Sequence, residues 1–268
     1  MSTITVTATV ENSTGSLDPP RVRLNVTDTG TSPALFAATV TRLDPDGRVV
    51  PVRTNDGNPL VLTTSGTTRV GLLYDYEMPY GAPVTYSTME TPTSSSAAVT
   101  VAESKAWLVH PGVPELSRPV TVASVSERTR RAQRGVFYPM GRETPVVQTD
   151  GARKAAEYTL GLLTQTDTER RDLGALLSDA GVLLFNVPAS KPWGIGAEYV
   201  SIGDVTESRV TPFIGEPTRR FELPLTVVDR PAGGSQSERT YIDVLAQFSS
   251  YAALRNAYNS YTSLLAGP

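Results

Sequence analysis

A chain of 268 residues with no cysteine can form no disulfide, thiolate metal site or thiol nucleophile, and it is long enough for two hydrophobic cores. Its 24 basic and 27 acidic side chains leave a net charge of −3, so the overall field does not attract nucleic acid or an anionic membrane. The first basic residue is Arg21 and no apolar run approaches the roughly 18 residues of a span; neither a signal peptide nor a transmembrane helix is expected, and the product is expected to stay in the cytoplasm until assembly.

Ile4, Val6, Ala8 and Val10 alternate with Thr5, Thr7 and Thr9, the period-two pattern of a half-buried strand. Val22, Leu24 and Val26 repeat it, as do Phe36, Ala38 and Val40, with Asp18-Pro19-Pro20 and Gly30 as breakers. Asp44-Pro45-Asp46-Gly47 predicts a hairpin between strands 35–43 and 48–53, and Asn55-Asp56-Gly57-Asn58 marks the next turn. Val70, Leu72 and Tyr74 on one face, the turn Met78-Pro79-Tyr80-Gly81, and then Val84 and Tyr86 predict a second hairpin. Eight short strands with no amphipathic helix make residues 1–103 a β-sandwich of immunoglobulin or fibronectin type III size, with a surface loop at 91–96. This half carries 6 basic and 10 acidic residues against 18 and 17 in 104–268, so the acidity belongs to it.

The second half changes character. Thr166-Asp167-Thr168-Glu169 reads as a capping box, with Leu173, Leu176, Leu177 and Ala180 at helical spacing, which predicts a helix over 167–180 stopped by Gly181. Val182-Leu183-Leu184-Phe185 follows as a strand covered on both faces, one of them by that helix. Further strands are expected at 135–138, 144–148, 155–163, 197–203 and 219–228, giving an α+β domain over 104–268. Tyr241, Tyr251 and Tyr261, trailed by Leu245, Leu254 and Leu264, predict short helical segments over 240–266. The fold class is therefore mainly β with a minor helical part.

Residue types that carry chemistry are present but not grouped. His110 has no acidic or hydroxyl residue at triad or metal spacing. Gly194-Ile195-Gly196 lacks the third glycine of a dinucleotide fingerprint. Asp44, Asp46, Asp56 and Glu77 could in principle serve as paired carboxylates or calcium ligands, yet they lie in or beside turn signals, and turn formation accounts for the three aspartates. No catalytic, metal or cofactor residue is assigned and no cofactor is expected. The densest basic run, Glu127 to Arg134, holds Arg128, Arg130, Arg131 and Arg134 with no aromatic for base stacking; it reads as a solvated loop or a subunit contact before it reads as a nucleic-acid site. Trp193, between Pro192 and Gly194, is expected to close the second core.

Two blocks of sequence carry a resemblance. The first is Tyr74-Asp75-Tyr76-Glu77-Met78-Pro79-Tyr80-Gly81 before Val84-Thr85-Tyr86, followed by Ala106-Trp107-Leu108-Val109-His110-Pro111 and Pro114-Glu115-Leu116-Ser117. The second runs from Gly141-Arg142-Glu143-Thr144-Pro145-Val146-Val147 through the helix and the strand ending at Pro188 to Glu222-Leu223-Pro224-Leu225-Thr226-Val227-Val228-Asp229-Arg230-Pro231. Together they resemble distal or minor tail proteins of siphophages infecting high-GC Gram-positive bacteria, over most of residues 70–265.

That resemblance implies a split β-barrel with one packed helix in a ring at the tail tip of the virion, commonly a hexamer, with a trimer as the other possibility. It implies neighbours in the tail tube and tip hub, and a fibronectin-like half facing outward toward host cell-surface glycans. The reading from another class is a carbohydrate-binding or adhesive module of a cell-surface protein. A glycan-degrading tail enzyme would need an acidic pair in an aromatic groove, and the sequence has two tryptophans and unpaired carboxylates.

Overall fold

The computed structural model describes residues 3–11, 19–29, 37–54, 57–65, 68–89, 94–213 and 215–233. The tyrosine–leucine segments expected at 240–266 lie outside these residues, as do Asp18, Gly30, Phe36, Asn55 and Asp56. The chain is mainly β with a minor helical part, as its patterning predicts.

The first ten strands are β1 (Ile4–Glu11), β2 (Arg21–Asp28), β3 (Ala37–Ala38), β4 (Val40–Leu43), β5 (Val49–Pro51), β6 (Leu60–Val61), β7 (Thr63–Ser65), β8 (Thr68–Asp75), β9 (Pro83–Thr88) and β10 (Val99–Thr100). They make two four-stranded sheets, β1-β2-β8-β7 and β10-β9-β4-β5, with β3 and β6 as a separate short pair. The threonines of β1 face solvent, while Ile4 and Val6 join Val22, Leu24 and Val26 of β2 and Val40, Val84 and Tyr86 of the other sheet in one core. The hairpin at 44–47 forms as expected: Gly47 takes φ 84° and its N–H donates to the Asp44 carbonyl at 2.9 Å, closing the turn between β4 and β5.

One expectation fails here, and the apolar pattern of β8 misleads about which face is buried. Strands β8 and β9 are no hairpin, because β8 pairs with β2 and β7 while β9 pairs with β4 and β10; the chain at 76–82 arches from one sheet to the other. The inward face of β8 is also the opposite one: Leu73 and Asp75 are buried and Leu72 is 39% exposed. The inward set hides from a search for apolar alternation because one member is glycine and another charged. Leu60 and Leu62 lie over Gly71 so closely that a Cβ there would sit 2.5 Å from Leu62 Cδ2. Asp75 is held by the buried Arg42 guanidinium at 2.8 Å and by the Tyr86 hydroxyl at 3.0 Å, and accepts the Glu77 N–H. Burial opposes the charge on Arg42, and the Asp75 and Asp44 carboxylates more than offset it, holding its pKa above the ordinary value.

The second half contributes β11 (Ala106–Val109), β12 (Arg118–Val125), β13 (Thr129–Phe137), β14 (Val146–Thr164), α1 (Asp167–Asp179), β15 (Val182–Asn186), β16 (Glu198–Ile202), β17 (Thr206–Arg209) and β18 (Arg219–Val227). Six strands close on themselves in the order β14-β12-β11-β15-β16-β18, because residues 157–164 of β14 pair with β18 on one side and residues 160–163 pair with β12 on the other. Strand β17 continues the line of β16 along β18 and has no partner on its other edge among the described residues. The expected strands 144–148 and 155–163 are parts of the single 19-residue strand β14, and the Arg-rich run 129–134 is strand, not loop.

Helix α1 starts where β14 ends. The Thr166 hydroxyl accepts the Glu169 N–H at 3.1 Å, while the Glu169 carboxylate accepts the Gln165 N–H at 2.7 Å, a capping box with its return bond displaced by one residue. Leu173 and Leu176 enter the barrel core beside Leu183 and Phe185, and Trp193 packs on the same core partly buried. Gly181 does not supply a left-handed stop, because the helix ends at Ala180 in an extended conformation.

The apolar runs of β11 and β15 show why they lack alternation. Ala106, Leu108, Leu183 and Phe185 point into the barrel core, whereas Trp107, Val109 and Leu184 belong to the core of the first half, with Tyr199 of β16. One wall serves two cores. If the inward face of β8 is as described, Leu73→Ala lowers the unfolding free energy by about 2–5 kcal/mol, and Leu72→Ala by less than about 1 kcal/mol. Urea titrations of the two variants check this, and equal losses would return β8 to the face that its apolar pattern suggests.

Candidate functional site

Of the carboxylates that might have served chemistry, the three among the described residues, Asp44, Asp46 and Glu77, are engaged. Asp44 binds Arg42 at 2.6 Å, and the Asp46 side chain accepts the Arg48 N–H at 3.0 Å as a turn aspartate does. Glu77, 4% exposed, takes Arg53 at 2.8 Å on one oxygen and Arg230 on the other. Arg53 also donates to the Pro231 carbonyl at 2.8 Å, and Arg230 to the Pro51 carbonyl at 2.6 Å, which fastens the segment after β18 across the first half. The cleft beside this crossing is lined by Val40, Val52 and Leu60 together with these same arginines. Asn186 completes the joint, donating to the Met78 carbonyl at 2.7 Å while its own oxygen accepts the Tyr80 N–H at 3.4 Å. Among the described residues no group of three His, Asp or Glu could hold a metal ion.

His110 is a loop organiser. Its Nδ1 accepts the N–H groups of Gly112 at 3.0 Å and Val113 at 2.8 Å, so the ring proton sits on Nε2, 3.3 Å from the Asp179 carboxylate at the end of α1. Sequence spacing could not find this pair, because the partner is far along the chain.

The feature left without an internal purpose is an arm. Strands β13 and β14 pair from Thr129↔Glu157 out to Phe137↔Val146, beyond the point where β14 leaves the barrel, so a two-stranded ribbon roughly 30 Å long stands free. Apart from half-buried Gly135, every arm residue from 129 to 155 whose side chain is described is exposed. The register slips between Arg130 and Ala132 and again between Ala132 and Arg134, opposite Gly151 at φ 80°, and such bulges bend a ribbon. At the tip, the Arg142 N–H donates to the Pro139 carbonyl with Gly141 at φ 80°, a tight turn that projects Met140 fully into solvent. Phe137 is 57% exposed and Tyr138 73%, with Val136, Val146 and Val147 beside them.

The four arginines singled out by sequence all lie at or on this arm, with different duties. Arg128 stands at its root, bound through both oxygens of Glu198 at 2.8 and 2.9 Å and lying 5.3 Å over the Tyr158 ring, so it anchors the arm to its own barrel. Arg131 meets Glu157 at 3.0 Å. Arg130 and Arg134 have no acidic partner among the described residues. Over 128–154 the sequence has seven basic and two acidic side chains, leaving 17 basic and 25 acidic elsewhere. The arm is the positive pole of a negative chain.

Comparison of the sequence with protein-family models gave no match, and comparison with curated proteins gave none. No helix of the described residues is long and apolar enough to cross a membrane.

Burial lowers the His110 pKa below its usual value, against the pull of Asp179. A group depressed in the folded state contributes stability that is complete above its unfolded pKa, near 6.5, and lost as pH falls through the folded value. The unfolding free energy therefore declines below about pH 6.5, and His110→Asn, whose amide oxygen still accepts an N–H but does not titrate, flattens that decline; thermal melts of both proteins from neutral to mildly acidic pH measure it.

Proposed function

We propose that the chain is a structural component of a bacteriophage tail tip, a distal or minor tail protein that assembles into a symmetric ring between the tail tube and the tip hub and catalyses no reaction. The observation that carries this reading is the arm. A lone two-stranded ribbon is marginal in water, and it gains stability when a further strand or a packing surface is added. This one also ends in exposed apolar side chains, with Phe137 opposite Val146 and Val136 opposite Val147 on neighbouring rungs, and such exposed apolar surface marks a protein contact. Among the described residues its two outer edges have no strand partner, which leaves backbone groups ready for another chain. Arg130 and Arg134 are the subunit-contact residues in this reading, and Arg128 and Arg131 hold the ribbon in position.

The resemblance over residues 70–265 supplies the setting: a ring, with six copies preferred over three, and the sandwich-like first half outward, where host-surface glycans are within reach. The engaged states of Asp44, Asp75 and Glu77 support a role in shape. A symmetric ring is reached through heterologous contacts when the rotation between neighbours closes.

Purified protein examined by native mass spectrometry and negative-stain imaging should give a closed ring. Replacing residues 133–149 by Asn-Gly should leave a folded monomer with its far-ultraviolet circular dichroism reduced only by the lost ribbon. An unmodified chain that stays monomeric at every concentration, alone and with tail-tube protein, would overturn the assembly reading, and selective glycan binding by that monomer would favour the adhesive module.

A further inference from the structure

We propose, resting on the assembly reading in which the arm is a contact, that the outer edge of β13 takes an added strand from a neighbouring protein. That strand carries aspartate or glutamate at alternate positions, opposite Arg130 and Arg134.

Three arginines gather on one face of the ribbon. Alternate residues of a strand share a face, so Arg130, Ala132 and Arg134 of β13 point the same way, and Arg153 of β14 joins them as the partner of Ala132. All are exposed, and none of these three arginines has an acidic partner among the described residues, unlike Arg128 and Arg131. Arg130 and Arg134 stand about 13 Å apart along the strand, two repeats of the roughly 7 Å pleat that any added strand shares.

The backbone selects the edge. Between Arg130 and Ala132, β13 has one residue where β14 has two, and between Ala132 and Arg134 it has one where β14 has three. Both bulges therefore fall on β14, and β13 keeps the regular spacing that a further strand needs. It is also the last strand of its sheet, with no partner on its outer side among the described residues. A ribbon with one regular edge and one broken edge accepts a single strand and does not grow into an endless series.

Charge then selects the strand. Opposite charges across a strand pair attract and like charges repel, so the positions facing Arg130 and Arg134 call for carboxylates. A second copy's β13 would bring the same arginines alongside. Among the described residues, the chain's other sheet-edge strands, β1, β3, β5, β6, β7, β10 and β17, each hold at most one carboxylate. The added strand therefore belongs to a different protein, and the apolar tip stays available to another copy. Nucleic acid suits this surface less well. It has no backbone ladder to offer an edge strand, the arginine face has no aromatic for base stacking, and the turn at the tip balances Arg142 with Glu143.

The probe is the peptide Thr-Glu-Thr-Glu-Thr-Glu-Thr, titrated into the whole isotope-labelled chain. Backbone amide signals of β13 should shift. Binding should weaken roughly tenfold or more in the double variant Arg130→Glu with Arg134→Glu, as reversal of two cross-strand charges requires. That variant should instead bind Thr-Lys-Thr-Lys-Thr-Lys-Thr, a rescue that a misfolded arm could not give. The glutamate peptide with every backbone nitrogen methylated keeps its charge, loses the ladder and should not bind. Equal binding of the methylated and unmethylated peptides would overturn strand addition, and tighter binding of a short DNA duplex would overturn the protein partner. A chain that forms its ring yet ignores the glutamate peptide would overturn the inference and leave the assembly reading standing. Peptide binding by a chain that stays monomeric under every condition would support strand addition and overturn the assembly reading alone.

Discussion

The carboxylate of Glu77, buried and clasped by Arg53 from the first half and Arg230 from the segment after the last strand, sits where two hydrophobic cores meet. Removing Glu77 would leave two largely buried guanidinium groups facing each other without their shared counter-charge, which is far more costly than never having placed them there. The electrostatic clasp works together with packing: Trp107, Val109 and Leu184 face the first core from strands whose alternate residues face the second. Neither half can be pulled away without exposing the outer face of the barrel wall. The two halves therefore act as one body, and the tail-tip reading acquires a rigid unit that can present surfaces at fixed angles.

Against that rigidity the arm stands apart. Everything that stabilises the body, from interdigitated leucines to satisfied buried polar groups, is missing between residues 129 and 155, where the ribbon has only its own ladder and the anchors at its root. The two bulges make the ribbon a poorer template for aggregation, because they interrupt the flat repeating edge on which unlimited strand addition depends.

Sequence patterning captured what burial writes into it. Strands β1, β2 and β18, each wet on one face, alternate cleanly, and α1 announces its start through Thr166 and Glu169. The run 182–185 betrayed two-sided burial, although nothing in it said that the second side belonged to the other half, and the equally apolar 106–109 was not read as a strand. What escaped had physical reasons. Strand β8 turns a glycine and an aspartate inward, so its apolar residues mark the wrong face. Strand β13 buries almost nothing and so carries no periodic signal, and its arginines imitate a loop. The clasp at Glu77 draws on residues far apart in the chain, and only the fold brings them together.

Strand β14 runs unbroken from the tip of the arm to the far end of the barrel. Over residues 160–163 it is paired with β12 on one flank and β18 on the other, and those hydrogen bonds lie across its axis. A tug on the arm therefore acts as shear, loading both ladders in parallel where a sideways pull would peel them one rung at a time. Such a strand would act as a tendon, carrying the pull of anything that gripped the tip into the middle of its own barrel.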